Sequence, residues 1–376
     1  MRVRTRAEYE QVLEAVGICV SARVPVLLWG SPGEGKTAVV ESAAGQGWLV
    51  ESLIVSHYEP SDFAGLPVVT GDGSVELAAP AWAKRLAAHR GRSIAFFDEF
   101  STASPALQAA ALRPLTHYQV GALRLPESVS FVAAANPADV AAAGWELAAP
   151  TANRFVHLDW SLPLEVYGEC LVTGDWPSLP VYDDVVDLAE RTAAELVLVA
   201  GFLRARESQL SVIPKTADER GRAFPTPRTW DYAARLSAFA QAVGASAQAR
   251  RLLVAGCVGE ATALEYLAWL GSLDLPDPEA LLALPDRADI TGLRADRVYV
   301  VLQGVLAAVV RRSTPDRWAD AVRLCASAAA SVGIDPAVPV VRVLVRDGVR
   351  PSGVSVPSEI AVFAPALALA GLLPGR

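Results

Sequence analysis

Cysteine is scarce and scattered in this chain. Four occur in 376 residues (Cys19, Cys170, Cys257, Cys325), with no C-x-x-C pair and only four histidines. That excludes a secreted disulfide framework and a structural zinc site, and leaves the four as small buried hydrophobes. Basic charge is also short: Lys and Arg number 33 against 41 Asp and Glu, a formal net charge of −8. The arginines gather only in short groups such as Arg2/Arg4/Arg6, Arg250/Arg251 and Arg311/Arg312. A chain that grips nucleic acid by its phosphates needs a larger cationic surface, so protein partners are expected instead. Long apolar runs are missing too. The longest, Tyr299–Val310 and Ile360–Leu373, are too short to span a bilayer, and the second contains Pro365. The opening MRVRTRAEYE has no apolar core of the signal-peptide kind, so a cytoplasmic protein without a membrane partner is expected.

What is present is a globular composition, 52% hydrophobic and 20% charged, with enough length for two or three domains. Tyr9, Val12, Leu13, Val16 and Cys19 form one helical stripe over 7–22. Apolar runs of strand type follow at Val24–Trp29, Leu49–Val55, Ile94–Phe97, Val129–Ala135 and Val156–Trp160, with helical stretches among them. Continuous apolar strands alternating with helices predict a parallel sheet covered on both faces. Val68–Leu77 reads as a hairpin around Thr70-Gly71-Asp72-Gly73. After about Leu162 helical periodicity takes over, over Val185–Arg206, Pro227–Val243, Ser246–Cys257, Ala261–Gly271, Leu293–Arg312 and Pro315–Val332. Breaks fall at Pro214–Pro227, Gly271–Pro278 and Asp347–Pro357.

The strongest motif is Gly30-Ser31-Pro32-Gly33-Glu34-Gly35-Lys36-Thr37, which fits G-x-x-x-x-G-K-[ST] between a strand and a helix. Its glycines let successive backbone N–H groups face phosphate oxygens, Lys36 reaches β- and γ-phosphates, and the Thr37 hydroxyl ligates Mg²⁺. Ala38 continues the contact into the helix. Ile94-Ala95-Phe96-Phe97-Asp98-Glu99 is an apolar strand ending in two acids. Asp98 suits the metal shell and Glu99 the polarising of a water, although two acids also suit a helix N-terminus. Phe131–Asn136 ends a buried strand in an amide before Pro137, placing Asn136 where it can hold a water beside the γ-phosphate, or else cap a turn. Two arginines complete the set. Arg154 lies in Asn153-Arg154-Phe155, near the end of the sheet segment. Arg228 follows Thr226-Pro227, an N-cap and first-turn pair. A cation there opposes the helix dipole, which makes sense if the side chain is aimed at phosphate.

Taken in order, these motifs resemble AAA+ ATPases, and more narrowly the MoxR-type branch that neighbours dynein-related AAA domains. Pro60–Pro67 before the hairpin, and Asp98–Ser101 leading into Leu107–Ala110, add to the likeness. It spans about residues 8–160 strongly and weakly to about 310. It implies a P-loop NTPase three-layer parallel sheet over 1–161, an α-helical lid over 162–312, and a C-terminal helical extension over 313–376. It further implies ATP and Mg²⁺ as ligands, with Lys36 and Thr37 as Walker A contacts and Asp98 and Glu99 as Walker B acids. Asn136 would be sensor 1, Arg154 a finger reaching a neighbouring subunit's ATP, and Arg228 a sensor 2 from the lid. The finger's context departs from the commoner Asp-Arg-Phe, with Asn153 in place of Asp. A homo-oligomeric ring, commonly a hexamer, acting as a chaperone-like remodeler follows from the likeness, with a von Willebrand A-domain protein as the partner class. The alternative is the motor of a nucleic-acid-processing, restriction-type complex, which the acidic balance and the lack of a DNA-binding module disfavour.

Overall fold

The computed structural model describes residues 5–137, 144–283 and 292–372. Arg2, Arg4 and Leu373 of the sequence groups above lie outside them. By contact the chain forms two compact units, one of Met1–Glu195 with Ser208–Leu267, the other of Leu196–Glu207 with Ala268–Arg376.

The first unit is built on a five-stranded sheet of β1 (Val26–Trp29), β2 (Leu49–Ile54), β3 (Ser93–Asp98), β4 (Val129–Ala135) and β5 (Val156–Asp159). The strands run parallel in the order β2-β3-β4-β1-β5, so β1 has crossed to lie between β4 and β5. Parallel neighbours need covered crossovers, and the helices that follow each strand supply the cover. That is why β3 and β4 read as unbroken apolar runs. Every residue of β4 is buried, and in β3 burial breaks only at Asp98. The register aligns Ile54 with Asp98 and Trp29 with both Ala135 and Asp159, so the carboxyl ends of all five strands form one edge. This is the P-loop NTPase type of three-layer sheet expected from the sequence.

One face of the sheet packs an aromatic cluster. Phe97 lies 5.3 Å from Phe63, 5.9 Å from Phe131 and 6.1 Å from Phe100, ring centre to ring centre. All four are at most 1% exposed, and truncating one such ring typically costs about 3–5 kcal/mol. Helix α1 (Arg6–Ser21) covers the other face and buries Tyr9, Val12, Leu13 and Val16, the stripe seen in the sequence. The loop after β1 opens α2 (Lys36–Glu41), and α3 (Pro105–His117) follows β3. The hairpin forms as Leu66–Val69 against Val75–Ala78, antiparallel, with Leu66, Val69 and Val75 exposed. Two further helices, α4 (Pro227–Ala242) and α5 (Ala247–Val258), belong to the same unit, and α5 packs on β5 and α1.

The second unit is helical. Ala295–Arg311, Pro315–Val332 and Val338–Leu344 bury Val298, Val305, Val322 and Val341 around Trp318, whose Nε1 donates to the Leu344 carbonyl at 2.8 Å. Thr314 caps Pro315–Val332 with proline in the first turn, the same Thr-Pro signature that starts α4. All four cysteines are buried and free. Among the described residues, no helix is long and apolar enough to cross a membrane.

Candidate functional site

The loop between β1 and α2 folds as its glycines require. A side chain at Gly30 would meet the Trp160 carbonyl oxygen at 2.5 Å, and Gly35 holds φ of 76° as the N-cap of α2. Gly33 also has positive φ, Pro32 is exposed at the crown, and Ala38 is exposed on the first turn of α2. Lys36, only 7% exposed, curls back under the loop. Its Nζ donates to the carbonyls of Gly30 at 2.7 Å and Ser31 at 2.8 Å, and stands 3.4 Å from Asn136 Oδ1. Burial lowers its pKa, opposed by the nearby carboxylates of Glu34 and Asp98. The Ser31 N–H donates to Glu34 Oε2 at 3.1 Å, and Trp160 Nε1 holds the Glu34 carbonyl at 2.9 Å. These bonds hold the Ser31 N–H and the carbonyls of Gly30, Ser31 and Glu34 in place.

The acids come from the end of β3. Thr37 Oγ1 donates to Asp98 Oδ2 at 2.7 Å. A hydroxyl and a carboxylate side by side are the hard oxygen ligands that Mg²⁺ prefers, the rest of its shell normally being phosphate and water. No cluster of three or more His, Cys, Asp or Glu suited to a metal occurs among the described residues. Glu99 is exposed and sits at φ of 55°, a left-handed conformation that a non-glycine residue pays for in strain. Its backbone is pinned by Thr102, which donates from both N and Oγ1 to the Glu99 carbonyl at 2.8 and 2.7 Å. The Ser56 hydroxyl donates to Glu99 Oε2 at 3.0 Å, a partner that the sequence did not announce because it follows β2, far along the chain. Asn136 leaves β4 with its N–H on Ser101 Oγ at 3.1 Å. Lys36, Thr37, Asp98, Glu99 and Asn136 therefore meet on one edge, as the motifs predict.

Arg154 and Arg228 do not join them. Arg154 precedes β5, where Val156 N–H bonds the Pro25 carbonyl, so it lies at the amino ends of the strands. From Pro25 to Gly30 is five residues of strand, roughly 16 Å. Arg154 Nε donates to Thr116 Oγ1 at 2.7 Å, with a second bond to the Pro150 carbonyl. Burial lowers its pKa, with Arg228 the next cause. Arg228, expected as a sensor 2 from the lid, stands with Arg154 in this structure. The Thr226 capping box fixes the start of α4, and the Thr226 hydroxyl bonds Asn153 Oδ1 at 3.0 Å. Arg228 Nη1 reaches the same Asn153 oxygen at 3.3 Å. Asn153, the departure from Asp-Arg-Phe, is the post on which both meet. Arg228 lines a cleft of about 490 Å³ together with Arg23, Arg124, Arg235 and Tyr232.

The second-segment arginine that does stand at the P-loop edge is Arg222, which no motif marks. Its guanidinium lies 4.0 Å over the Trp29 ring and pairs with Asp159 at 3.3 Å. Trp29 Nε1 donates to His157 Nδ1 at 2.9 Å, leaving Nε2–H of His157 for the Ala152 carbonyl at 3.0 Å. Burial pushes the His157 pKa down to about 4 and keeps the ring neutral.

No family model matches the chain, and no curated protein matches it. Among solved structures it is similar to a "putative ATPase" from Cytophaga hutchinsonii, at 15% identity over 72% of this chain and 91% of that one, TM-score 0.43. It is also similar to a proline-to-glycine mutant of RuvB from Thermotoga maritima, at 13% identity over 78% and 81%, TM-score 0.30.

Proposed function

We propose that this chain binds and hydrolyses ATP as an AAA+ protein, working in a head-to-tail assembly of its own copies to remodel a protein partner. One observation carries the reading: the Thr37 hydroxyl, the Asp98 carboxylate, the Lys36 ammonium and the Asn136 amide converge from three separate loops under one glycine-rich turn. Such a cluster is costly to bury without a ligand that uses it.

In this reading the loop amides and Lys36 hold the β- and γ-phosphates, and Thr37 with Asp98 holds Mg²⁺. Mg²⁺, when bound, spreads the charge that builds on the phosphate oxygens. Glu99 polarises the attacking water once its carboxylate leaves Ser56, and Asn136 positions that water. Arg154 and Arg228 stand roughly a strand length from their own chain's loop and serve the triphosphate of the next copy. A surface that gives arginines from one edge to a loop on the other is heterologous, and heterologous contacts close into rings when the rotation permits. The exposed Leu66, Val69 and Val75 of the hairpin offer an apolar contact for a protein client.

The test separates binding from chemistry. In Lys36→Ala, ATP binding measured by calorimetry is expected to vanish. In Glu99→Gln it is expected to persist while turnover falls by about 10²–10⁴. Undiminished binding in Lys36→Ala would remove the reading altogether. Parental turnover in Glu99→Gln would remove only the role given to Glu99.

A further inference from the structure

We infer that Arg222 is a further nucleotide-binding residue, a γ-phosphate ligand that Asp159 holds aside until the triphosphate arrives. The inference rests on the ATP-binding reading and adds a residue and its competitor to it.

Three contacts place Arg222. Its guanidinium lies flat over Trp29, the residue directly before Gly30 of the loop, at 4.0 Å. It donates to Asp159 Oδ1 at 3.3 Å, at the end of β5, the strand beside β1. It also lines a small cavity of about 80 Å³ shared with Asn136, Ser101 and Trp145. Asn136 is the amide that stands 3.4 Å from Lys36 Nζ. Arg222 thus borders the Asn136 side of the site while stacked on the residue before the loop, in a position set by a turn rather than a long helix. The short helix Ala217–Arg220 ends two residues before it, capped at its start by Thr216.

The energetics favour an exchange of partners. Arg222 and Asp159 have side chains 40% and 45% exposed, so solvent screens their pairing and leaves it weak. A charge-assisted bond from guanidinium to phosphate is the stronger contact, and the planar fork matches two phosphate oxygens at once. Stacking on Trp29 keeps the guanidinium near the loop in either state. Asp159 is therefore a weak, displaceable partner, and the Trp29 indole is placed to report the displacement.

The experiment compares ATP and ADP binding to the full chain by calorimetry, with indole fluorescence as the second readout. Four variants are used: Lys36→Ala, Arg222→Ala, Arg222→Lys and Asp159→Asn. Arg222→Ala is expected to weaken ATP by about tenfold or more and leave ADP unchanged, since only ATP carries the γ-phosphate. Arg222→Lys is expected to recover part of the loss. Asp159→Asn is expected to tighten ATP, because the arginine no longer has a charged competitor. Should Arg222→Ala fold poorly, Asp159→Asn still decides the matter, since it keeps the arginine and its stacking. Equal weakening of ATP and ADP in Arg222→Ala would mark a structural role and overturn the inference. So would an Asp159→Asn variant with parental or weaker ATP affinity. If Lys36→Ala loses both nucleotides while Arg222→Ala binds both like the parent, the ATP-binding reading stands and this inference falls. If Lys36→Ala binds like the parent, the reading itself has failed.

Discussion

The two edges of the sheet are built in opposite ways. At the carboxyl edge, Lys36 and Thr37 come from the glycine-rich loop and the start of α2, and Asp98, Glu99 and Asn136 come from the ends of β3 and β4. At the amino edge, Arg228 and Arg235 of α4 line one cleft with Arg23 and Arg124 from distant segments, and Arg154 lies close to Arg228. The first edge is dense with internal hydrogen bonds, whereas the second is an open cleft in which those arginines outnumber the one acid, Glu127. Like charges brought together cost free energy unless an anion is shared between them. In the proposed reading, the first edge holds the phosphates and the second supplies its arginines to the loop of another copy.

The largest expected effect tests that division of labour. Arg154→Ala should lower the ATPase rate of the assembled protein by about 10³-fold or more while leaving ATP affinity of the dilute chain unchanged. Mixing it with Lys36→Ala subunits should restore part of the rate, since each supplies what the other lacks. A mixture no faster than the sum of its parts would place Arg154 on its own chain's nucleotide. Arg228→Ala should behave in the same way, with a smaller loss because Arg154 remains. Complementation by Lys36→Ala subunits is again the readout that tells the next copy from its own.

A further effect concerns the strand that joins the edges. His157 is buried and neutral, its folded pKa pushed down to about 4 from an ordinary value near 6.5. A depressed value means that the stabilising contribution is fully present above about 6.5 and is lost as pH falls toward 4. The loss is at most about 3 kcal/mol. Urea midpoints for the parent should therefore fall over this window more steeply than those of His157→Gln, which has no such proton to take up. Parallel curves would contradict it. The smallest effect is at the helix that sets the cleft. Thr226→Ala should cost about 1 kcal/mol of stability as a lost N-cap, seen as a lowered urea midpoint, and should loosen Arg228 from Asn153.

Much of the fold was legible in the sequence. The five strand runs, the stripe of α1, the hairpin and the Thr-Pro start of α4 all appear where the pattern put them, to within one or two residues. These features are local. A buried parallel strand must be apolar throughout, a turn needs its glycine, and a helix start needs its cap. The phosphate loop was legible for the same reason, because its chemistry needs glycines and a lysine at fixed spacing in one stretch. Arg228 shows where legibility stops. Its local setting, a cation at a helix start, pointed to an anion without saying whose. Arg222 and Ser56 carry no local mark at all, and Asn153 showed only as a departure from a motif, since each matters through a neighbour distant in sequence.

The order of residues alone sets the glycine-rich loop, the two acids after β3 and the alternation that forces a covered parallel sheet. Backbone sterics and burial make those requirements local. Only the tertiary structure decided which arginine faces which edge. The order of strands places β1 between β4 and β5, and the seating of α4 on Asn153 then turns Arg228 away from the loop, while Arg222 is left stacked beside it. An arginine side chain carries the same charge wherever it sits, so its role is set by which edge of the sheet it reaches.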